Sequence, residues 1–191
     1  MRILLASPES NVWNSRTQTP LGIGYLAAVL RESGHQVAIY DASVEDEPVE
    51  AVIKRGRYEA LGITACTPLI VDAWTMAKTA KRLGLVTILG GPHLTLLPEE
   101  SLSPEHPEVD YVMQGESEES LPELIEALMG QRPFETVHGL YWRKDGQVVA
   151  NPAARLVPDL DALPYPAQDL FKINRYTNLQ PLTDGLQKDA R

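Results

Sequence analysis

The sequence predicts an α/β fold with a doubly wound, mostly parallel sheet of five strands. Five short apolar runs alternate with segments of helical periodicity, which is typical of successive β-α units. The apolar runs are continuous rather than alternating, as expected for parallel strands that helices cover on both faces. A chain of 191 residues is long enough for one such domain and an appendage.

The first half of the chain contains three of the predicted strands. A helix predicted at 20–33 has proline in its first turn and ends at Gly34. The loop at 7–19 is long for a connection between a strand and a helix, and long loops of this kind are often functional. The predicted strands are 3–6, 37–40 and 60–63, and a second helix is predicted at 48–54.

The second half of the predicted sheet centres on a strand at 86–89 that stops at a pair of glycines. A helix predicted at 69–83 precedes it and ends at Gly84. A short strand is expected at 109–113. The acidic residues of 115–119 are expected to open a helix that reaches 130, since negative charge suits the first turn of a helix.

After the last helix the sequence changes character. Asp145 and Gly146 stand between two strand-like runs, which predicts a β-hairpin that extends or caps one edge of the sheet. Residues 151–191 contain five prolines and scattered apolar residues, which favours an extended arm. We therefore expect an α/β domain at 1–135, a hairpin at 136–150 and a connector at 151–191.

Composition excludes several classes of function. The net charge of -9 and the absence of a basic cluster disfavour binding to nucleic acid or to an anionic membrane. No apolar stretch is long enough for a signal peptide or a membrane span, so we expect a cytoplasmic protein without membrane contact. The single cysteine, Cys66, excludes an internal disulfide and any site built from several thiolates of this chain.

Small and polar residues follow the predicted strands at their carboxyl ends, where open parallel sheets bind ligands. Gly90 and Gly91 have no Cβ, so a large ligand could approach the backbone closely there. Asp41 follows the second strand, where its carboxylate could reach a hydroxyl or amide of a ligand. It could equally cap a turn.

Read in order, the loops resemble the N-terminal cobalamin-binding domain of cobalamin-dependent radical S-adenosylmethionine enzymes, a group that includes class B methyltransferases and anaerobic Mg-protoporphyrin ester cyclases. The segments that carry the resemblance are Pro-Leu-Gly-Ile-Gly-Tyr-Leu-Ala at 20–27, Thr-Ala-Cys-Thr-Pro-Leu at 64–69, Gly-Gly-Pro-His-Leu-Thr at 90–95 and Gly-Glu-Ser-Glu at 115–118. Residues 159–167 are similar to the connector before the radical barrel. The resemblance implies a flavodoxin-like or Rossmann-like cobalamin fold.

The resemblance also implies where cobalamin would bind. The corrin ring would lie across the strand ends, and the nucleotide tail would enter a slot between sheet and helix. The residues implied on this basis are Asn11, Trp13 and Asn14 beneath cobalt, Leu21 and Gly22 facing the corrin, Thr64, Ala65, Cys66, Thr67, Gly90 and Gly91 around the tail, and Asp41, Pro92, His93, Gly115 and Glu116 nearby.

No protein ligand to cobalt is expected. Related cobalamin carriers place the histidine that binds cobalt in an Asp-x-His-x-x-Gly motif after the first strand, and the loop at 7–19 contains no histidine. The four histidines are His35, His93, His106 and His138, and none has that position. We expect His93 to pack on the next loop rather than to bind metal. No catalytic residue is assigned to this chain.

Radical enzymes of this group hold a [4Fe–4S] cluster with three cysteines, which this chain does not have. The cluster and S-adenosylmethionine would therefore belong to a radical barrel in cis or in a partner subunit, and the full enzyme would transfer a methyl group or carry out a ring-forming oxidation. Two alternatives remain open: a doubly wound domain that binds a flavin or a nucleotide, and a non-catalytic receiver-like or scaffold domain. The first strand-to-helix turn lacks G-x-G-x-x-G, and Asp41 stands without the acidic cluster of a receiver.

Overall fold

Seven strands form one sheet in the computed structural model of the chain, which describes residues 1–9 and 18–176. The strands are β1 (Arg2–Ser7), β2 (Gln36–Asp41), β3 (Ala60–Thr64), β4 (Val86–Gly90), β5 (Tyr111–Met113), β6 (Leu140–Lys144) and β7 (Gln147–Ala150). Their order is β2-β1-β3-β4-β5-β6-β7. The first five strands are parallel, which confirms the predicted fold class.

The described residues form five α-helices, which connect these strands or follow them. They are α1 (Leu21–Glu32), α2 (Val49–Gly56), α3 (Ile70–Arg82), α4 (Pro92–Leu96) and α5 (Ser120–Leu128). In the described part of the chain, none of these helices is long and apolar enough to cross a membrane.

The helices cover the two faces of the sheet with two separate cores. Neighbouring residues of a strand point to opposite faces, so Leu4 packs with α2 and α3 while Leu5 packs with α1 and α5. Both leucines are almost fully buried. The chain reverses its direction of winding between β1 and β3, and this reversal leaves a crevice beyond the carboxyl ends of those strands.

The predicted hairpin extends the sheet beyond β5. Strand β6 pairs antiparallel with β5, and β7 pairs antiparallel with β6. Asp145 and Gly146 have φ values of 51° and 80°, as a two-residue turn of this hand requires. The strand begins at Leu140 rather than at 137, but Val137 is still fully buried in the core beneath α5.

The expectation that residues 115–119 open a helix is wrong, because α5 begins at Ser120. Gly115 has a φ of +78°, which is not a helical value. Its N–H donates to Thr95 Oγ1 at 3.1 Å, and the N–H of Gln114 donates to the carbonyl of Gly139 at 2.8 Å. These bonds hold residues 115–119 as a loop over the carboxyl end of β5, and acidic side chains thereby come to the edge of the crevice.

The described part of the connector, 151–176, packs against the domain instead of leaving it. Phe171 and Ala167 are buried against α1. Helix α1 admits them because of Gly24, where a Cβ would lie 3.1 Å from Phe171 Cε2 and 3.2 Å from Pro166 Cβ. The carbonyl of Gly24 also accepts a hydrogen bond from the N–H of Ala167 at 3.0 Å. The connector is therefore fixed along one side of α1.

We predict that Phe171→Ala lowers the free energy of unfolding by about 3 kcal/mol, because it removes a buried aromatic ring and leaves a cavity beside Gly24. Tyr165→Ala is the matched control, since Tyr165 belongs to the same connector and is 95% exposed. Urea denaturation of both variants measures the difference. Equal stabilities of the two variants would contradict the packing of the connector on α1.

Candidate functional site

A cavity of about 260 Å³ lies between α1 and the carboxyl-terminal halves of the central parallel strands. The loop before α5 closes one side of it. The lining residues are Leu5, Gly22, Ile23, Leu26, Gly62, Ile63, Thr64, Ile88, Gly90, Gly91, Pro92, Met113, Gly115, Glu116, Ser117, Glu118 and Leu121. The cavity therefore occupies the crevice that the strand order creates.

Glycines at three places make room for this cavity. A Cβ on Gly62 would lie 2.7 Å from Leu5 Cδ2, so the interior of β3 has no space for a side chain. Gly90 ends β4 beside Met113, and Gly22 stands at the mouth of the cavity in the first turn of α1. Apart from its chain neighbours and the backbone of α1, no atom of the described residues would lie within 4 Å of a Cβ on Gly22.

Gly91 has a different role, which is to bring two loops together. Its φ is +104°, and a Cβ would lie 2.8 Å from Thr64 Oγ1 and 2.9 Å from the carbonyl oxygen of Ala65. The N–H of Ala65 donates to the carbonyl of Gly90 at 2.9 Å, and the N–H of His93 donates to the carbonyl of Ala65 at 3.1 Å. Only glycine combines this dihedral angle with this close approach.

The cavity brings together part of the set of residues expected from the sequence. The expected residues that line it are Gly22, Thr64, Gly90, Gly91, Pro92, Gly115 and Glu116. They come from α1, the ends of β3 and β4, and the loop after β5. Asn11, Trp13 and Asn14 lie outside the described residues.

The other expected residues do not line the cavity. Leu21 is 46% exposed at the start of α1, and Ala65 is buried in the core on the opposite face of the sheet. Cys66 is half-buried, and Thr67 begins a short 3₁₀ turn after β3. These four residues surround the strand ends without reaching the slot between the sheet and α1.

His93 is buried and uses both ring nitrogens within the protein. Its Nδ1 lies 3.2 Å from Thr67 Oγ1, and its Nε2 lies 2.9 Å from Glu100 Oε2. The ring therefore joins α4 to the turn before α3 and to the segment after α4, as expected for packing on a neighbouring loop. A bond to a metal would require one of these contacts to break.

Asp41 is 2% exposed, and its carboxylate accepts hydrogen bonds from the protein. The N–H and the hydroxyl of Ser43 donate to Oδ1 at 3.1 and 2.8 Å, and the hydroxyl of Tyr176 donates to Oδ2 at 2.9 Å. Asp41 therefore caps the turn after β2, which is one of the two roles that the sequence left open. Asp41 also holds the end of the connector at the carboxyl end of β2.

Sequence reasoning missed much of the apolar wall and part of the polar rim. The missed residues are Leu5, Ile23, Leu26, Gly62, Ile63, Ile88, Met113, Ser117, Glu118 and Leu121. A glycine inside a strand often marks a close approach, so Gly62 offered a signal. The apolar residues offered no such signal, because apolar residues that line a cavity and apolar residues in a packed core follow the same sequence pattern.

The charged groups of the cavity lining are acidic in the described part of the chain. No lysine, arginine or histidine lines the cavity in the described part of the chain, whereas Glu116 and Glu118 both do. Glu116 Oε2 accepts a hydrogen bond from the N–H of Val157 at 3.3 Å. Within residues 1–9 and 18–176, no three histidine, cysteine, aspartate or glutamate side chains come together as a metal site would require.

Comparison with known families identifies the family of the chain. A sequence-family model described as the B12 binding domain matches residues 16–125, which is more than half of the chain. The chain belongs to the B12-binding domain family. This match confirms cobalamin as the predicted cofactor, and the matched segment contains the strand ends and loops that form the cavity.

Two curated relatives extend the similarity to nearly the whole chain. An uncharacterised methyltransferase of Pyrococcus horikoshii is 36% identical over 92% of this chain and 40% of its own length. An anaerobic magnesium-protoporphyrin IX monomethyl ester cyclase of Rubrivivax gelatinosus is 32% identical over 85% of this chain and 32% of its own length. This chain therefore spans less than half the length of either relative.

A solved structure shows the same fold. The cobalamin-dependent S-adenosylmethionine radical enzyme OxsB, determined with aqua-cobalamin and S-adenosylmethionine bound, superposes with a TM-score of 0.76 at 19% identity. The superposition covers 92% of this chain and 25% of OxsB. This likeness shows the shared fold, and together with the family match and the two curated relatives it confirms the predicted resemblance to cobalamin-dependent radical S-adenosylmethionine enzymes.

Proposed function

We propose that the chain is the cobalamin-binding module of a radical S-adenosylmethionine enzyme and that the nucleotide tail of cobalamin enters the cavity beneath α1. The observation that carries this proposal is the cavity itself, which opens at the carboxyl ends of β3 and β4 and is lined by glycines. A slot between a sheet and a helix suits a narrow tail, because its walls are close and largely apolar.

The size of the cavity fits one part of the cofactor. Sites that enclose a whole drug-sized ligand typically measure roughly 300–1,000 Å³. A volume of about 260 Å³ suits the nucleotide tail and leaves the broad corrin ring outside, across the strand ends. The exposure of Leu21 at the start of α1 supports the proposal that this side chain contacts the ring.

The apolar residues of the cavity suit the base of the tail, and its polar residues suit the ribose. Leu5, Ile88 and Met113 form an apolar floor for an aromatic base. Thr64 offers a hydroxyl at the rim, where hydroxyl groups of a ribose would lie. The task of this chain is to bind and orient the cofactor, and no residue of the described part needs to react.

Bound cobalamin supplies a cobalt centre that can carry a methyl group, and the relatives include a methyltransferase and a ring-forming cyclase. We propose that the full enzyme carries out one of these two reactions. Cys66 is the only cysteine, so three thiolates for a [4Fe–4S] cluster must come from elsewhere. A radical barrel, in cis or as a partner subunit, would supply the cluster and bind S-adenosylmethionine.

We further propose that no histidine of this chain binds cobalt from below. His93 lies near the strand ends, but Thr67 and Glu100 occupy its two ring nitrogens. His138 Nδ1 bonds to the carbonyl of Ala153, and His106 stacks on Trp74 with ring centroids 3.8 Å apart. His35 lies near the amino terminus, at the opposite end of the sheet.

Gly22→Leu tests the position of the tail. No described atom would clash with a Cβ there, so the isobutyl group fills the mouth of the cavity, while replacement of a helical glycine removes a penalty of about 1 kcal/mol. We expect the melting temperature to hold or rise and the affinity for hydroxocobalamin to fall at least about tenfold. Absorbance titration and thermal unfolding measure the two quantities.

Thr75→Leu is the control for this experiment. It adds an apolar side chain at an exposed position of α3, the helix that packs on the other face of the sheet. Its affinity for hydroxocobalamin should equal that of the wild type. Unchanged binding by Gly22→Leu would refute the proposed position of the tail, and the absence of corrin absorbance in wild-type protein after gel filtration would refute the proposed function.

Electron paramagnetic resonance tests whether a nitrogen atom binds cobalt from below. The spectrum of the cob(II)alamin form should show no nitrogen superhyperfine splitting, because the tail base is displaced into the cavity and no imidazole replaces it. His93→Ala should leave this spectrum unchanged. Nitrogen splitting in the wild type that disappears in His93→Ala would show that His93 leaves its contacts with Thr67 and Glu100 to bind the metal.

A further inference from the structure

Glu118 lines the cavity and has a carboxylate oxygen that lacks a partner. Its Oε2 is closed off from solvent, and no hydrogen-bond donor of the described residues reaches it. Glu116, the other acidic residue of the lining, is satisfied by the N–H of Val157. The rest of the lining includes apolar side chains such as Leu121 and Ile23 and, in the described part of the chain, no lysine, arginine or histidine.

A buried carboxylate oxygen without a donor is costly, because the protein replaces none of the hydrogen bonds that water would give it. Such an atom on a residue that lines a ligand cavity is explained if the ligand brings the missing donor. Ser120 Oγ is also buried without a partner, but the space beside it measures about 10 Å³ and is too small for a ligand group. Of these two buried atoms, Glu118 Oε2 is therefore the one that a ligand could contact.

We infer that the Glu118 carboxylate accepts a hydrogen bond from a neutral donor of the bound cofactor, either a hydroxyl of the ribose or an amide N–H. Glu118 thereby fixes the orientation of the tail. Because Glu116 and Glu118 carry negative charge at this end of the cavity, the negatively charged phosphate of the tail would lie away from them. This inference rests on the proposed function, since it names a contact within the same cavity.

Three variants test the contact: Glu118→Leu removes the acceptor, Glu118→Gln keeps an acceptor without charge, and Glu119→Leu is the control. Glu119 is the exposed neighbouring carboxylate and does not line the cavity, so its replacement changes the net charge by the same amount. Affinity for hydroxocobalamin and the melting temperature of the unliganded 191-residue chain are measured for each.

A hydrogen bond to a charged group corresponds to a loss of affinity of about tenfold to a hundredfold. We expect that loss for Glu118→Leu, a loss of about threefold for Glu118→Gln, and none for Glu119→Leu. The melting temperature of unliganded Glu118→Leu should equal or exceed that of the wild type, because the variant removes a buried oxygen without a partner. A merely structural glutamate would give the opposite shift in melting temperature.

Cobinamide, which keeps the amides of the corrin and lacks the ribose, separates the two donors. If Glu118→Leu leaves the affinity for cobinamide unchanged, the donor is the ribose hydroxyl. If Glu118→Leu loses the same affinity for cobinamide as for hydroxocobalamin, the donor is an amide.

The inference, but not the proposed function, would be overturned if Glu118→Leu bound hydroxocobalamin with wild-type affinity. It would also be overturned if Glu119→Leu lost as much affinity as Glu118→Leu. A lower melting temperature of Glu118→Leu or, if that variant does not fold, unchanged binding by Glu118→Gln would also overturn it. No cobalamin binding by the wild type would instead overturn the proposed function.

Discussion

The contact between the end of β3 and the turn after β4 fixes the geometry on which the candidate site depends. Gly91 approaches Thr64 and Ala65 so closely that a Cβ would overlap them, and hydrogen bonds through the backbone of Ala65 join the two loops. Because α4 begins directly after this contact, the loops turn toward the face of the sheet that α2 and α3 cover. The opposite face, beneath α1, is left open at the strand ends, and the cavity lies there.

Helix α1 connects the cavity with the connector through two glycines on different sides. Gly22 faces the mouth of the cavity, while Gly24 receives Phe171 and Pro166. The connector then follows the helix and ends its described path at Tyr176, whose hydroxyl bonds to Asp41 at the carboxyl end of β2. The candidate site and the end of the described connector therefore both lie at the carboxyl ends of the parallel strands.

The sequence was sufficient to predict the parallel sheet, the hairpin and the strand-end loops, because apolar runs, Asp145-Gly146 and the glycine pairs have direct physical signatures. It was not sufficient to assign residues to one face of the sheet. Thr64 and Ala65 are neighbours in a single motif, yet Thr64 lines the cavity and Ala65 is buried in the opposite core. Likewise, nothing in the local sequence shows that the Tyr176 hydroxyl donates a hydrogen bond to Asp41, since the two residues are 135 positions apart. Glu118 was assigned to a helix because acidic residues favour a first turn, whereas bonds from distant residues hold its loop.

The central claim is that the tail of cobalamin lies between α1 and the sheet. A crystal structure of the chain with hydroxocobalamin bound tests it most directly. We predict electron density for the nucleotide tail in the cavity bounded by Leu5, Gly22 and Met113, with the corrin ring outside it across the strand ends. Density for the tail on the other face of the sheet, beside Thr67 and His93, or a tail base still bound to cobalt, would contradict the claim.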